Sequence, residues 1–336
     1  MNRRRFVLVL GGVAVVLAGA LLFDLETKLP EKSTSTSVSE STTQISTSST
    51  TSSTLESSSI SSSSTAVSVT LQQIMSRIVT AKVYQGGVWT LKNETPETVG
   101  NALAELQPTY VSELLAFNSN ESISQQQIGD FNTIKRIVLK SSPYCKFDAF
   151  IYANQYSSAN ELTSQMEAIN SAISPDLWYV DFWDNTYQSS PDMISAAIKF
   201  AHSNDQPIGG NCWGTQCPPN SDFIGTDDLN FTFRSSFAQL VSNYPSYPTV
   251  LHVNNNPQNG PSTESAVFID QYTTQQRISY INSMAQSQKK YGYSFMYPVF
   301  FPNYPGAVSY DALADDSILS GIKSTMNQYN PYPYTS

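Results

Sequence analysis

Apolar and polar positions from residue 67 onward fall into two alternating patterns. One pattern is a short run of β-branched and aromatic residues, which is typical of strands. It occurs eight times, at 81–85, 108–117, 147–154, 177–183, 207–213, 222–227, 248–254 and 294–300. The other pattern places apolar residues at helical spacing. It predicts helices over 71–80, 124–140, 159–173, 192–204, 229–243, 264–290 and 315–329.

The alternation of eight strands with helices predicts an α/β fold in which residues 67–336 form a (β/α)8 TIM-type barrel. One unit is irregular, because the connection from 213 to 222 is too short for a normal crossover helix. An open, doubly wound sheet is the alternative architecture. It is disfavoured because none of the motifs GxGxxG, GxxxxGKS/T and GxSxG occurs in the sequence.

The first 23 residues have the pattern of an export segment. Arginines at positions 3–5 precede the uncharged run 6–23, and this start resembles a twin-arginine signal. Small residues at 18–20 offer a cleavage site, which predicts a removed signal peptide. The run is also just long enough to span a bilayer, so a retained membrane anchor is the alternative. We therefore expect an extracellular chain that is tethered to the membrane, or secreted if the segment is cleaved.

Residues 24–66 are predicted to form a disordered stalk. Ser or Thr occupies 26 of the 34 positions from 33 to 66, so this stretch has almost nothing to bury. Such composition is typical of O-glycosylated stalks, and a spacer after an apolar helix favours the anchor. Three N-glycosylation sequons, at Asn93, Asn120 and Asn230, also fit a glycosylated exterior.

Charge and cysteine content narrow the classes of partner and cofactor. Charged residues make up 13% of the chain and its net charge is -9, which argues against nucleic acid or an anionic membrane surface as partner. The chain has two histidines and no CxxC pair, so we expect no zinc site. Cys212 and Cys217 are close enough in sequence to form a disulfide outside the cell. The alternative is that all three cysteines are free thiols.

In a parallel barrel, the carboxyl ends of all strands meet at one rim, where such proteins carry out their chemistry. The fourth run reaches this rim with Asp181, Trp183 and Asp184. Because side chains two residues apart share a face of a strand, we expect Asp181 and Trp183 to face the barrel cavity. Asp184 belongs either to the site or to a cap of the next turn. Further polar and aromatic candidates at the strand ends are Asn154, Asn211, Trp213, Asp227, Asp228, His252, Asn254 and Tyr297.

Asp181 and Asp227 are the two predicted catalytic carboxylates, and the other candidates are predicted to bind substrate. Asp228 has a second interpretation as the N-cap of a helix that begins one residue later. His252 either orients a carboxylate or binds substrate, or else forms an interior hydrogen bond. Glu113 lies in the second run, but the two leucines after it leave open which way it faces.

Two carboxylates among aromatic and amide side chains suffice for glycoside hydrolysis, which needs no metal or cofactor. With VDFWD at 180–184 and carboxylates at a second strand end, residues 67–336 resemble extracellular TIM-barrel proteins of the glycoside-hydrolase type. The chain lacks the closing glutamate of the chitinase-like motif DxxDxDxE, and its seventh run ends without a glutamate. The resemblance implies a carbohydrate-active enzyme that hydrolyses glycosidic bonds. A non-catalytic barrel that binds glycans or contributes to the cell envelope is the alternative.

Overall fold

The computed structural model describes residues 69–85, 87–91, 94–212, 217–227, 242–243, 247–252, 273–301 and 312–334. Within these ranges the chain alternates between strands and helices. The strands are β1 (Ile78–Thr80), β2 (Tyr84–Gln85), β3 (Val88–Trp89), β4 (Tyr110–Ser112), β5 (Leu115–Phe117), β6 (Lys146–Tyr152), β7 (Leu177–Asp181), β8 (Ile208–Asn211), β9 (Phe223–Asp227), β10 (Thr249–His252), β11 (Ser294–Pro298), β12 (Phe300–Phe301) and β13 (Ala312–Leu313). The α-helices are α1 (Leu71–Ile74), α2 (Pro96–Leu106), α3 (Gln125–Ser141), α4 (Ala159–Ile173), α5 (Trp183–Ser189), α6 (Pro191–Ser203), α7 (Thr274–Tyr291) and α8 (Asp316–Tyr329).

Eight of these strands form a curled parallel sheet whose pairings lead back to the first strand. β1 pairs with β4 and with β11, and the pairing between them continues through β6, β7, β8, β9 and β10. All of these pairs are parallel, as expected when long crossover connections join successive strands. β2 and β5 continue β1 and β4 and also pair in parallel. The predicted α/β class is therefore confirmed for the described residues, and the sheet is TIM-barrel-like.

The element boundaries differ most from the predictions around the first two strands. The predicted helix 71–80 ends at Ile74, and its second half is strand β1, because three β-branched residues in succession suit a pleated strand better than a helix. The predicted strand 108–117 is interrupted at Glu113, which separates β4 from β5. Helix α2 is not among the predicted helices, although Val99, Leu103 and Leu106 have helical spacing. Its start is marked by the N-cap Thr95 and a proline in the first turn.

Each face of the curled sheet carries its own apolar cluster, because successive side chains of a strand point to opposite faces. The inner cluster includes Ile78, Tyr110, Phe150, Tyr179, Phe223 and Met296, each from a different strand. The outer cluster fills the space between sheet and helices, and its strand residues include Val79, Val111, Ile151, Trp178, Val180, Ile208 and Ile224. The two clusters show which positions of each strand face the sheet interior.

Neighbouring strands β7 and β8 approach each other closely at Gly210. A Cβ atom at this position would lie 1.9 Å from the carbonyl oxygen of Val180. The neighbour is backbone rather than a flexible side chain, so it has no room to move aside. Glycine at 210 is therefore a condition for the pairing of these two strands.

We expect Gly210→Ala to lower the free energy of unfolding by about 3 kcal/mol or more, because β7 and β8 must separate to admit the methyl group. The matched control is Gly129→Ala, on the exposed side of α3, where a Cβ atom meets nothing within 4 Å. That change should leave stability unaltered or raise it by about 0.5–1 kcal/mol, since alanine is the better helix former. Urea unfolding of both variants measures the difference, and equal stabilities would contradict the close approach.

The N-terminal predictions concern residues that the structure does not describe. The export segment 1–23 and the stalk 24–66 lie outside the described residues and stay predictions. Of the three sequons, only that at Asn120 is described, and this asparagine is exposed in the loop after β5. No helix in the described part of the chain is long and apolar enough to cross a bilayer.

Candidate functional site

The structure brings Asp181 and Asn211 together at the carboxyl ends of the neighbouring strands β7 and β8. Asn211 Nδ2 donates a hydrogen bond of 2.8 Å to Asp181 Oδ1, and the backbone N–H of Phe182 donates to the same oxygen at 2.9 Å. Asn211 is buried, whereas Asp181 is only half-buried. Two N–H donors therefore orient a carboxyl group that remains partly exposed at the end of its strand.

Tyr179 supports Asn211 from the sheet interior. Its hydroxyl group donates a hydrogen bond to Asn211 Oδ1. The register places Gly225 of β9 opposite Asn211, and a Cβ atom at 225 would lie 2.0 Å from the Tyr179 hydroxyl oxygen. Glycine at 225 thus makes room for this hydroxyl group. Asn211 holds Asp181 in place, and its predicted contact with substrate stays a prediction.

The chain leaves strand β7 immediately after Asp181. Phe182 adopts a left-handed conformation with φ +55°, and α5 begins at the next residue. Trp183 consequently turns into the outer cluster, where its side chain is fully buried and its Nε1–H donates to Ser221 Oγ at 2.8 Å. The prediction that Trp183 shares the cavity face with Asp181 is wrong, because alternation between faces requires the strand to continue.

Three other candidates lie in three different environments. Tyr297 is buried in the outer cluster and donates a hydrogen bond of 2.6 Å to Asn330 Oδ1, while Met296 takes the inner position. Tyr297 was predicted to bind substrate at a strand end, and its burial in the outer cluster contradicts that prediction. Asp184 is buried in the first turn of α5 and accepts the N–H of the following residue at 2.8 Å, but it does not cap the helix, whose N-cap is Phe182 without a side-chain cap. Asn154 is exposed in the short 3₁₀ turn after β6, at the same end of the sheet as Asp181.

The remaining candidates are described in part or not at all. Asp227 and His252 are the last residues of β9 and β10, and they are partners in the register of these strands. Their side chains lie outside the described residues, as do Trp213, Asp228 and Asn254 entirely. The roles predicted for these five residues stay predictions.

The cysteines follow the first of the two predicted alternatives. Cys212 and Cys217 form a disulfide, with their Cα atoms 5.6 Å apart. Cys145 is a buried free thiol, and its burial raises the pKa of the thiol well above the ordinary value. Because Cys212 directly follows Asn211, the disulfide constrains the chain next to the residue that orients Asp181.

A second polar cluster lies in the sheet interior, and the sequence patterns do not predict it. Asp148 of β6 is fully buried and accepts hydrogen bonds from the Tyr110 hydroxyl at 2.5 Å, the Ser112 hydroxyl at 2.6 Å and the N–H of Glu113 at 2.9 Å. Burial raises the pKa of Asp148 to about 7, and the charge of Glu113 adds to the rise, while the three hydrogen bonds oppose it. This carboxyl group therefore exchanges its proton near neutral pH.

Glu113 extends the second cluster to a lysine. Its Oε2 lies 3.0 Å from Lys82 Nζ, and its side chain is 1% exposed, against 17% for Lys82. The backbone of Glu113 has φ +59°, which is uncommon for a residue with a long side chain. The turn made by Glu113 separates β4 from β5 and sends its N–H toward Asp148.

Alternation within β6 is the signal that could have found Asp148. Asp148, Phe150 and Tyr152 lie two residues apart, so they share the inner face of the strand. The strand-end rule considers only the residues at the rim and so passes over Asp148. Tyr152 was missed as well, although it is the half-buried register partner of Asp181. No comparable pattern in the sequence predicts the turn at Glu113.

The described interior thus contains carboxyl groups of two kinds. Asp181 is oriented by N–H donors and partly exposed, whereas Asp148 is buried and titrates near neutrality. Carboxyl groups in such different environments can divide the roles of nucleophile, base and acid among themselves. Among the described residues, no group of three or more His, Cys, Asp or Glu side chains could hold a metal ion.

Comparison with known proteins shows similarity at the level of solved structures only. No protein-family model matches the chain, and no curated protein matches it. Similar structures include a family 39 glycoside hydrolase from Bacteroides cellulosilyticus WH2, at TM-score 0.49 and 7% identity, over 76% of this chain and 65% of that one. An endoglucanase follows at TM-score 0.48 and 8% identity, over 75% and 97%.

Enzymes of other classes are among the similar structures too. A thiamine phosphate pyrophosphorylase from Pyrococcus furiosus has TM-score 0.42 and 8% identity, over 78% of this chain and all of that one. The similar structures therefore include glycoside hydrolases without being restricted to them. Similarity at this level assigns neither a family nor an activity to the chain.

Replacement of Asp148 by asparagine should change how stability depends on pH. The pKa of Asp148 is raised from 3.8 to about 7, so the folded chain binds the proton more tightly than the unfolded chain does. The stability that this proton contributes is present below pH 4 and is lost as the pH rises to about 7. Between these limits, the unfolding free energy of the native chain should fall relative to Asp148→Asn, by at most about 4 kcal/mol at 1.4 kcal/mol per pKa unit.

Urea unfolding between pH 4 and pH 8 measures this dependence. The control is Asp192→Asn, which makes the same chemical change at an exposed residue in the first turn of α6. The curve of that variant should run parallel to the native one. If the curve of Asp148→Asn also runs parallel to the native one, the pKa of Asp148 is not raised in the folded chain.

Proposed function

We propose that this chain is an exported, carbohydrate-active (β/α)8 barrel protein that hydrolyses glycosidic bonds. The observation that carries the proposal is the position of Asp181, a half-buried carboxyl group at the end of a parallel strand, oriented by the N–H groups of Asn211 and Phe182. Proteins of this architecture carry out chemistry at the carboxyl ends of their strands. A carboxylate fixed at that end is one of the two groups that hydrolysis of a glycosidic bond requires.

Asp227 is proposed as the second carboxylate. It ends β9, and only β8 lies between β9 and the strand of Asp181. Asp181, which accepts two N–H groups, suits the nucleophile or base, and Asp227 would then protonate the leaving oxygen. A separation of about 5 Å between the two carboxyl groups would give retention of configuration, and about 6.5–9.5 Å would give inversion.

The surroundings of Asp181 suit a neutral sugar. Tyr152 lies beside Asp181 in the register and offers a half-buried aromatic ring, and aromatic rings supply apolar surface for the C–H faces of sugars. Asn154 is exposed at the same end of the sheet and can bond hydroxyl groups. Further contacts are proposed for four residues at neighbouring strand ends, namely Trp213, Asp228, His252 and Asn254.

The N-terminal region completes the proposal. Residues 1–23 would export the chain, as a cleaved signal peptide or as a retained anchor, and residues 24–66 would form a glycosylated stalk. In the tethered form, the stalk would hold the catalytic domain away from the membrane. The carbohydrate ligand would then be a polymer outside the cell.

Replacement of Asp181 by asparagine should lower turnover by about 100-fold or more, because the amide cannot act as nucleophile or base. The substitution keeps an oxygen that can accept both N–H groups, so the fold should be preserved. The measurement is the release of reducing ends from a panel of polysaccharides by the purified full-length protein. Asp192→Asn, at an exposed site on α6, is the control and should cleave at the native rate.

Two outcomes would contradict this proposal in different ways. Native rates in Asp181→Asn would remove Asp181 from the catalytic role. Binding of a polysaccharide by the native protein without any cleavage would favour a non-catalytic glycan-binding protein instead.

A further inference from the structure

The ion pair between Lys82 and Glu113 serves no purpose in the chemistry proposed for Asp181. The two charged groups lie 3.0 Å apart, and the Glu113 side chain is 1% exposed, against 17% for Lys82. Lys82 is therefore the member of the pair that solvent reaches, and so the one that a ligand can reach. Withdrawing an ion pair from water is costly, and apolar residues of similar volume often stabilise a protein as well. Stability alone is thus a weak reason for this pair.

Glu113 is held in an unfavourable conformation by a dedicated set of hydrogen bonds. Its φ of +59° lies in the left-handed region, which residues with a Cβ atom avoid. Asp148 Oδ1 accepts the N–H of Glu113, while the hydroxyl groups of Tyr110 and Ser112 fix the other oxygen of Asp148. Strained residues that the surrounding structure holds in this way are concentrated at functional sites.

The pair lies near the strand ends, next to the inner face of the sheet. Lys82 follows β1 and Glu113 follows β4, and these neighbouring parallel strands end at the same edge. Asp148 joins Glu113 to Tyr110, which belongs to the inner cluster together with Tyr179. Tyr179 is also the first residue of the hydrogen-bond network that runs through Asn211 and orients the proposed catalytic carboxylate. Both polar clusters therefore extend from one layer of aromatic rings toward the same rim.

We propose that Lys82 binds the substrate of this site, donating a hydrogen bond to a hydroxyl group of a neutral sugar, and that Glu113 and Asp148 position it. The inference rests on the proposed glycoside hydrolysis and adds a specificity-determining residue and the class of sugar. The sugar is neutral because Glu113 balances the charge of Lys82. The carboxyl group of Asp181 at the same rim adds only negative charge, which repels acidic sugars.

The test is steady-state kinetics of the full-length protein on the polysaccharide that it cleaves fastest. Lys82→Met should raise KM by about 10-fold or more and change kcat by less than about 3-fold, because a charged hydrogen bond to the bound sugar is lost. Lys82→Arg keeps a charged donor and should stay within about 3-fold of the native KM. If the methionine variant does not fold, Lys82→Gln provides the same comparison.

Lys135→Met is the matched control. Lys135 of α3 pairs with Asp176 at 3.1 Å and is 23% exposed, so distance and exposure resemble those of Lys82. It lies against the rings of Phe131 and Phe147 in the outer cluster, on the other side of the sheet. Its removal should leave KM unchanged, which separates a contact with substrate from the loss of a partly exposed lysine ion pair elsewhere in the fold.

The outcomes distinguish this inference from the function on which it rests. Cleavage by the native protein with an unchanged KM in Lys82→Met would overturn the role of Lys82 and leave the hydrolysis intact. An equal rise of KM in Lys135→Met would also overturn it, since lost stability would explain both. Faster cleavage of a uronic-acid polymer than of any neutral polymer would overturn the class of sugar. If the native protein cleaves nothing in the panel, the proposed function and this inference fall together.

Discussion

The packing of Tyr179 is the constraint on which the candidate site depends. Its ring stacks on that of Phe150, with centroids 5.2 Å apart and planes inclined by 12°, and its hydroxyl group reaches Asn211 past Gly225. A buried hydroxyl group requires a partner, and the partner here is the amide that orients Asp181. The direction of the carboxyl group is therefore decided by the apolar layer beneath it. A change in the packing of the interior rings would therefore reach Asp181 through the hydrogen bonds of Tyr179 and Asn211.

Polar groups inside the sheet are tolerated because they satisfy one another. Asp148 has three donors, and the ammonium group of Lys82 faces the carboxylate of Glu113. Such groups cost free energy when they lose a partner, so the cluster is sensitive to single substitutions. The cluster around Asp148 therefore differs from the surroundings of Asp181. Asp148 itself is fully buried, whereas Asp181 is partly exposed at the rim.

Strand positions could be predicted from the sequence because short runs of β-branched and aromatic residues are local features. The side of the strand on which Asp181 lies could also be predicted from alternation. The same rule failed at Trp183, because Phe182 ends the strand in a left-handed conformation. The spacing of apolar residues gives no sign of that conformation. The hydrogen-bond partners of Asp148 could not be predicted for another reason. Its partners are fixed by the register between β4 and β6, and register is a relation between segments far apart in sequence. The turn at Glu113, likewise, is stabilised from a neighbouring strand.

The disulfide between Cys212 and Cys217 is a covalent tie at the end of β8, and whether it forms depends on the cellular compartment. It begins one residue beyond Asn211, at the end of β8. Thiols stay reduced in the cytosol, so the covalent tie forms only where the surroundings are oxidising. A newly made chain could fold its sheet beforehand and still lack this tie. Oxidation would then be the last step of assembly, and the chain beside Asn211 would be tied in its final arrangement only in an oxidising compartment.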